Sequence, residues 1–391
     1  MKNSKLRIAL VTHAPFPVGN VSTMRYSSYL KAMCNAGVYS YVLVYCPTRM
    51  ANHIKKTSGI FDGIEYQYST LITWKKYNLI NKVYYLFKGL FNSIAYLNSK
   101  NITTLILYGD NPFIVTFFYW LYTRLTKKRF IGDRSELPSV QERSSKLKLF
   151  IYGIKQRMFD GMIIMTKQLM HFYSQYSDDI NFLFFLPMTI DPTRFIGLKK
   201  ETQKEPYIAV VFGNHNRDGL LESLKTFELY CKKGGQYALK LIGDYKNMPN
   251  KADLDAQINA SMYKERIQIM GKIPNDSVPI VLINASILLT TPNFYISGGF
   301  PTKLGEYMLS GVPIVATKVG ELLDYVEPNV DMLMSNPADY ESISDNLLRL
   351  ERDKYLSQTL SINAKYKAKN VFCANSYISS LISFLQKKSS K

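Results

Sequence analysis

Gly298-Gly299-Phe300-Pro301-Thr302-Lys303-Leu304-Gly305-Glu306-Tyr307-Met308-Leu309-Ser310-Gly311-Val312-Pro313-Ile314-Val315-Ala316-Thr317 joins a glycine turn, a lone acid on a new helix and a buried strand. Gly298 and Gly299 let the backbone come close to a ligand, and Pro301-Thr302 starts a helix running through Lys303 to Leu309 whose free N–H groups would face an anion. Gly311 stops that helix, and Val312 to Ala316 reads as a fully buried strand with Pro313 near its start. Glu306 lies one helical turn beyond Phe300 to Lys303, so a carboxylate, a cation and several backbone amides converge on one end of a sheet. Such a set suits a nucleotide: the carboxylate accepts ribose hydroxyls, and the amides and Lys303 hold diphosphate. A helix begun by a glycine turn and carrying a surface Lys-Glu pair is the plainer alternative, but it leaves the coincidence of glycines, cation and acid without a cause.

At these residues the chain resembles the retaining glycosyltransferases of family four, whose fold is the two-domain GT-B arrangement. The family's usual signature is a glutamate, Gly-Phe-Gly, a second glutamate eight positions after the first, then a small residue, Gly, Pro and a hydrophobic strand. Gly299-Phe300, Glu306 and Gly311-Val312-Pro313-Ile314-Val315-Ala316 fit it, and Gly298 stands where the first glutamate should be. Pro301-Thr302-Lys303-Leu304-Gly305-Glu306-Tyr307 looks like the family's Pro-x-Lys-Leu-x-Glu-Tyr variant. The resemblance implies that Glu306 binds donor ribose and that the loop from Gly298 through Phe300, Pro301, Thr302, Lys303 and Leu304 holds sugar and diphosphate.

At 391 residues the chain exceeds one typical core, and 47% hydrophobic residues supply two. The expected architecture is α/β, two doubly wound Rossmann-like domains facing across a cleft: residues 1–195 on the acceptor side, 196–371 for the nucleotide-sugar, and a final helix within 372–391 packing back on the first. Strands at Arg7 to Thr12, Ser40 to Tyr45, Thr104 to Tyr108, Arg129 to Gly132 and Met162 to Met165 alternate with helical stretches. A second series follows at Tyr207 to Phe212, Ala238 to Gly243, Ile267 to Met270 and Ser286 to Thr290. The polar run Gly197 to Pro206 is the linker candidate. No uninterrupted apolar run of about 18 residues and no secretion signal is present, so a cytoplasmic location is expected. Cys34, Cys46, Cys231 and Cys373 have neither zinc nor disulfide spacing and read as reduced thiols.

Three loops extend the site. His13-Ala14-Pro15-Phe16-Pro17-Val18-Gly19-Asn20 follows the first strand, where open α/β sheets bind ligands, and Gly19 and Asn20 fit the family's Pro-x-Gly loop near the donor phosphates; Arg25 is expected to add charge there. His13 and Glu136, in Asp133-Arg134-Ser135-Glu136-Leu137-Pro138, are the catalytic candidates, although Glu136 serves equally as a helix cap. After the restart strand come Asn214 and Arg217, where the family places two cations on the donor diphosphate; here Asn214 and Asp218 stand at those places and Arg217 is the loop's cation. The segment Leu186 to Phe195 resembles the family's crossing into the second domain and reads as structural. The resemblance implies no metal and no cofactor, the nucleotide-diphosphate sugar being a substrate, and front-face transfer in which the leaving phosphate helps deprotonate the acceptor.

Forty-nine Lys and Arg against 30 Asp and Glu give a net charge of +19, which points to an anionic partner surface. Trp74–Lys88 and Arg143–Arg157, the latter with Lys146, Lys148 and Lys155, interleave lysines with apolar residues in the manner of helices lying on anionic bilayers. A solvated basic face is the bland alternative, and nucleic acid is not expected because no zinc, RNP or basic-region motif is present. These readings converge on a retaining, metal-independent hexosyltransferase of cell-envelope, capsular or exopolysaccharide synthesis, peripheral on the inner face of the plasma membrane, with a nucleotide-sugar donor and a glycan or lipid-linked glycan acceptor. An epimerase or hydrolase on the same fold, or a non-catalytic binding protein, are the alternatives.

Overall fold

The computed structural model describes residues 6–48, 53–75, 78–138, 145–202, 205–213, 215–294, 300 and 302–387. The chain divides into two compact units, residues 1–190 with 374–391, and residues 191–373.

The first unit runs β1 (Arg7–Thr12), α1 (Val21–Asn35), β2 (Tyr39–Val44), β3 (Ser58–Phe61), β4 (Ile64–Tyr68), α2 (Leu79–Ser99), β5 (Thr104–Tyr108), α3 (Phe113–Leu125), β6 (Arg129–Arg134), α4 (Lys146–Arg157), β7 (Gly161–Ile164), α5 (Lys167–Ser174) and β8 (Leu183–Phe185). The strands form one sheet in the order β3-β4-β2-β1-β5-β6-β7-β8. All neighbours are parallel except the β3–β4 hairpin, whose turn residues Asp62 and Gly63 both take positive φ, 51° and 79°. That Asp-Gly pair is what a two-residue hairpin turn demands. Helices cover both faces of a parallel sheet, so β5 is buried at every position and its sequence is a continuous apolar run.

One buried ion pair ties this unit together. Arg25 of α1 sends Nη1 to both carboxylate oxygens of Asp133 on β6, at 2.7 and 2.9 Å, while Nη2 donates to the Leu186 carbonyl at 3.1 Å and the Tyr29 hydroxyl donates to Asp133 at 2.8 Å. Both charged side chains are at most 1% exposed. Arg25 is therefore not a loop cation: the side of α1 that carries it faces the sheet, and its charge is committed to Asp133.

The second unit contains β9 (Tyr207–Val211), α6 (Leu220–Lys232), β10 (Ala238–Ile242), α7 (Lys251–Ala260), β11 (Ile267–Gly271), α8 (Val278–Asn284), β12 (Ile287–Thr290), α9 (Leu304–Ser310), β13 (Ile314–Thr317), β14 (Leu333–Ser335), α10 (Tyr340–Arg352) and α11 (Lys354–Val371). Its six strands are all parallel in the order β11-β10-β9-β12-β13-β14. Counted within the unit this is 3-2-1-4-5-6, the doubly wound dinucleotide-binding order, with the switch point between β9 and β12. The last helix, α12 (Ile378–Gln386), lies in the first unit, where Leu381 and Phe384 join the core of α1 and β1. The chain passes between units at Ile190 and Asp191. Gly197 to Pro206 is no free linker: Lys200 donates to the Ala285 carbonyl at 3.0 Å and the Glu201 N–H donates to the Asn284 side chain at 2.8 Å, so this polar run is docked on the second unit.

Removing one partner of a buried pair leaves the other charge uncompensated, which costs about 3–5 kcal/mol. Asp133→Ala is expected to lower the first unit's unfolding free energy in urea by that amount, measured by tryptophan fluorescence, whereas the exposed Glu136→Ala leaves it within about 0.5 kcal/mol.

Candidate functional site

At the switch point of the second sheet, two loops are held in contact by a glycine. Gly219 has φ 74°, and a Cβ on it would lie 2.0 Å from the Thr291 carbonyl oxygen, so no larger residue fits. Thr291 Oγ1 donates to the Gly219 carbonyl at 2.8 Å and lies 2.7 Å from Ser223 Oγ. The loop after β9 is thereby fixed against the loop after β12. Asp218 folds back to accept the Gly213 N–H at 2.7 Å and pairs with Lys303 at 3.2 Å. Lys303 precedes α9, which is pinned to the end of β9 by the Val211 N–H donating to the Tyr307 hydroxyl at 2.8 Å. Arg217, Asp218 and Lys303 thus meet at the carboxyl end of the sheet. Burial lowers the Lys303 pKa, Asp218 raises it, and the nearby Arg217 charge lowers it again.

Glu306, on the first turn of α9, is 8% exposed. Its carboxylate pairs with Arg194, whose other nitrogen donates to the Asn275 backbone carbonyl at 2.5 Å. Burial raises the Glu306 pKa and Arg194 opposes the shift. The segment Leu186 to Phe195, read as purely structural, therefore delivers the counter-ion of the central acid. Sequence reasoning missed Arg194; its only signal was a cation in an otherwise polar-capped turn, where Asp191 caps Pro192–Phe195 through the Thr193 N–H.

Other expected site residues divide by what their side chains do. Phe300 is 5% exposed, edge-on to Tyr325 at 5.0 Å and against Phe372 at 5.6 Å, and Leu304 is in the core. Neither side chain is free for a ligand; both anchor the loop and helix that carry Lys303 and Glu306. Thr302 lies in the turn before α9, partly buried. Gly298, Gly299, Pro301 and Asn214 lie outside the described residues. Gly19 has a packing reason, since its Cβ would strike Thr23 Oγ1 and the Pro15 carbonyl at 2.2 and 2.6 Å, and Asn20 caps α1 by accepting the Thr23 N–H at 3.3 Å.

At the switch point of the first sheet, between β1 and β5, His13 is edge-on to Tyr45 at 6.3 Å and hydrogen-bonds to Asn111. Asn111 is fixed by the Tyr45 hydroxyl at 2.8 Å and by its own amide donating to the Tyr108 and Gly109 carbonyls. The surrounding protein desolvates the His13 imidazole and lowers its pKa, the Asn111 bond opposing. Glu136 is exposed in the loop after β6 and is not drawn into this cluster. Lys155 is, through Asp110 at 2.5 Å and the Asn111 carbonyl at 3.0 Å; at 6% exposure it is a buried residue, not a cation of an outward basic face. Asn111 was missed by sequence, although Gly109-Asp110-Asn111-Pro112 carries the turn signal that follows a strand. Among the described residues no cluster of His, Cys, Asp or Glu could hold a metal ion, and no helix is long and apolar enough to cross a membrane.

Residues 194–367 match the model of the family glycosyl transferases group 1. Two curated proteins are similar over part of the chain. The 2-deoxystreptamine glucosyltransferase of Streptomyces kanamyceticus is 24% identical over 179 residues, 43% of this chain and 45% of its own length. The amylovoran biosynthesis glycosyltransferase AmsK of Erwinia amylovora is 22% identical over 193 residues, 47% and 46%. The chain thus spans about half the length of the curated relatives it matches. Among solved structures, Anabaena Alr3699/HepE in complex with UDP superposes with a TM-score of 0.70 at 12% identity, over 97% of this chain and 99% of that one. The two doubly wound units are those of the GT-B glycosyltransferase fold.

Proposed function

We propose that this chain, whose second unit is a glycosyl transferases group 1 domain, moves a hexose from a nucleoside-diphosphate sugar to a glycan acceptor, lipid-linked and part of cell-envelope, capsular or exopolysaccharide synthesis. The observation that carries the reading is the set at the β9–β12 switch point: a buried carboxylate, Glu306, beside two cations, Arg217 and Lys303, on loops locked together by Gly219 and Tyr307. Arg194 engages Glu306 Oε1, and among the described residues Oε2 has no hydrogen-bond partner, which suits a ribose hydroxyl. Lys303 and Arg217 would take the diphosphate, in exchange for the weaker contact with half-screened Asp218. One relative is an amylovoran biosynthesis glycosyltransferase, and a structural neighbour was solved in complex with UDP.

In this proposal transfer proceeds with retention and without a protein nucleophile. The acceptor hydroxyl oxygen attacks the anomeric carbon from the face the diphosphate leaves, the carbon–phosphate-oxygen bond breaks, and the hydroxyl proton passes to the departing phosphate oxygen. Lys303 and Arg217 stabilise the negative charge that grows there. On the first unit, a neutral His13 held by Asn111 is placed at the sheet's own switch point to hydrogen-bond acceptor hydroxyls.

The first unit also suits a bilayer surface. Ile80, Val83, Tyr84, Phe87 and Phe91 of α2, Phe113, Ile114, Phe117, Leu121 and Leu125 of α3, and Leu147, Phe150, Ile151 and Ile154 of α4 form outward stripes at helical spacing on three successive helices. Each is at least 38% exposed, and Lys82, Lys146 and Lys148 stand among them exposed. Apolar residues flanked by lysines favour insertion at an anionic interface.

Product analysis decides the reaction: incubation with UDP-, GDP-, ADP- and dTDP-sugars is expected to give transfer to a glycan acceptor with retained anomeric configuration. Release of free sugar alone, or an altered donor with no acceptor, would replace it with a hydrolase or epimerase. Glu306→Gln keeps the shape and removes the charge; loss of a charge-assisted hydrogen bond worth about 1.5–3 kcal/mol predicts about 10- to 100-fold weaker binding of the active nucleoside diphosphate in calorimetry, and because the change also unpairs Arg194, the variant is compared at a temperature below its own melting midpoint. Because the free Lys303 pKa lies below its ordinary 10.5, and an anion binds only its charged form, affinity should fall as pH rises through that lowered value. Lys303→Arg should flatten this profile. In vesicle sedimentation, Phe87→Glu/Phe117→Glu/Phe150→Glu should reduce binding to phosphatidylglycerol vesicles at least tenfold; wild-type protein that ignores such vesicles refutes the bilayer reading.

A further inference from the structure

The opposite, amino-terminal edge of the second sheet carries a pocket of about 470 Å³, a size that suits a sugar phosphate or nucleotide. Its floor is the residues just before β12 and β13, Ser286 and Pro313, with Ser310 and Gly311 at the end of α9. One wall is a single face of α11, on which Lys354, Gln358, Ser361 and Lys365 recur at helical spacing. Lys200, from the segment docked before β9, closes the rim. No carboxylate lines this pocket among the described residues.

The lysines of the unit divide into those with an acidic partner and those without. Lys232, Lys233, Lys251, Lys303 and Lys367 each have an acidic partner within 3.2 Å. Lys367 is two residues from Lys365 on the same helix and reaches Asp331. By contrast Lys200, Lys354 and Lys365 enter no salt bridge among the described contacts. Lys200 donates to the Ala285 carbonyl and Lys354 to the Tyr237 hydroxyl at 2.7 Å, one hydrogen bond each out of three available. Asp353, next to Lys354, is committed to capping α11 through the Leu356 N–H at 2.9 Å. Lys354 and Lys200 also feel each other: the Lys200 pKa is lowered by burial and then by the Lys354 charge. Two like charges facing one recess without a counter-ion are a cost that an anion in the recess removes. Lys365 lies eleven positions along α11 from Lys354, about 16 Å at the helical rise, so the polar wall of Gln358 and Ser361 separates two cationic ends.

We propose that this pocket is a second anion site, distinct from the switch-point set, that takes a small phosphorylated ligand with its phosphate on Lys200 and Lys354 and its polar remainder along Gln358 and Ser361. The site does not depend on the reaction proposed above, and its test is separable from it. Inorganic pyrophosphate is titrated calorimetrically into the full chain, into Lys200→Ala/Lys354→Ala, and into Arg217→Ala/Lys303→Ala. Two sites are expected in the wild type, with the pocket variant losing one and the switch-point variant the other; Lys200→Arg/Lys354→Arg keeps both. Lys200 and Lys354 are exposed, so the fold of the pocket variant is retained, and the melting profile of every variant is checked. Unchanged stoichiometry and affinity in Lys200→Ala/Lys354→Ala would overturn the proposal. So would full displacement by sulfate at matched ionic strength, which would reduce the pocket to a patch of general charge attraction.

Discussion

Everything at the carboxyl end of the second sheet depends on one close approach, the Gly219 α-carbon against the Thr291 carbonyl. Because a Cβ has no room there, the loop that follows β9 can lie directly on the loop that follows β12, and the hydroxyls of Thr291 and Ser223 close the contact. Arg217 and Asp218 precede that glycine, and the chain beyond Thr291 leads to Phe300, Lys303 and α9. A wider separation would carry Lys303 away from Asp218 and leave the cations on two independent loops. Tyr307 performs the same service one turn later, tying α9 to the last backbone N–H of β9. Polar contacts between loops, more than the sheet itself, set the geometry of the charged groups.

Those charged groups are arranged so that none is stranded without a ligand. Arg217 and Lys303 repel one another, and Asp218 sits between the loops to offset that repulsion while also accepting the Gly213 N–H. Glu306 is buried, a position that penalises its ionised form, and Arg194 opposes that penalty. The two pairs differ in kind. Lys303 and Asp218 are 31% and 16% exposed and screened by water, so an incoming phosphate competes for the lysine at modest cost, whereas Arg194 and Glu306 are 19% and 10% exposed and hold each other in place. An exchangeable cation next to a fixed carboxylate is an arrangement for binding an anionic ligand that also presents hydroxyls.

The sequence carried the sheet order's raw material: buried apolar runs, glycine stops such as Gly311 with φ 71°, and helices of crossover length. It also carried the β3–β4 hairpin, in Asp62-Gly63, whose first strand is short and largely exposed and so shows no alternation of apolar and polar residues. Side-chain roles were less legible, since their partners are distant in the chain. Arg25 looks like a first-turn cation until Asp133, 108 positions later, is seen buried beneath it. Arg194 meets Glu306 across 112 positions. Phe300 belongs to the loop through the Gly299-Phe300 pair, and its side chain packs on Tyr325 and Phe372, contacts that no local pattern announces. Lys155 shares its helix with exposed Lys146 and Lys148 and differs only in facing Asp110.

The same limit explains the outer helices of the first unit. A stripe at positions i, i+3, i+4 and i+7 says that one face of a helix is apolar, not which way that face points. On α2, Tyr85, Leu90 and Leu97 are buried while Ile80, Phe87 and Phe91 are exposed, so the helix is apolar on both sides and a single amphipathic reading fails. An α/β sheet needs only one such face per helix to cover it. The second face therefore has no role in the fold of the unit, and burying it requires a partner of matching chemistry. The exposed lysines beside it on α2 and α4 are the charge that the bilayer surface proposed above would meet.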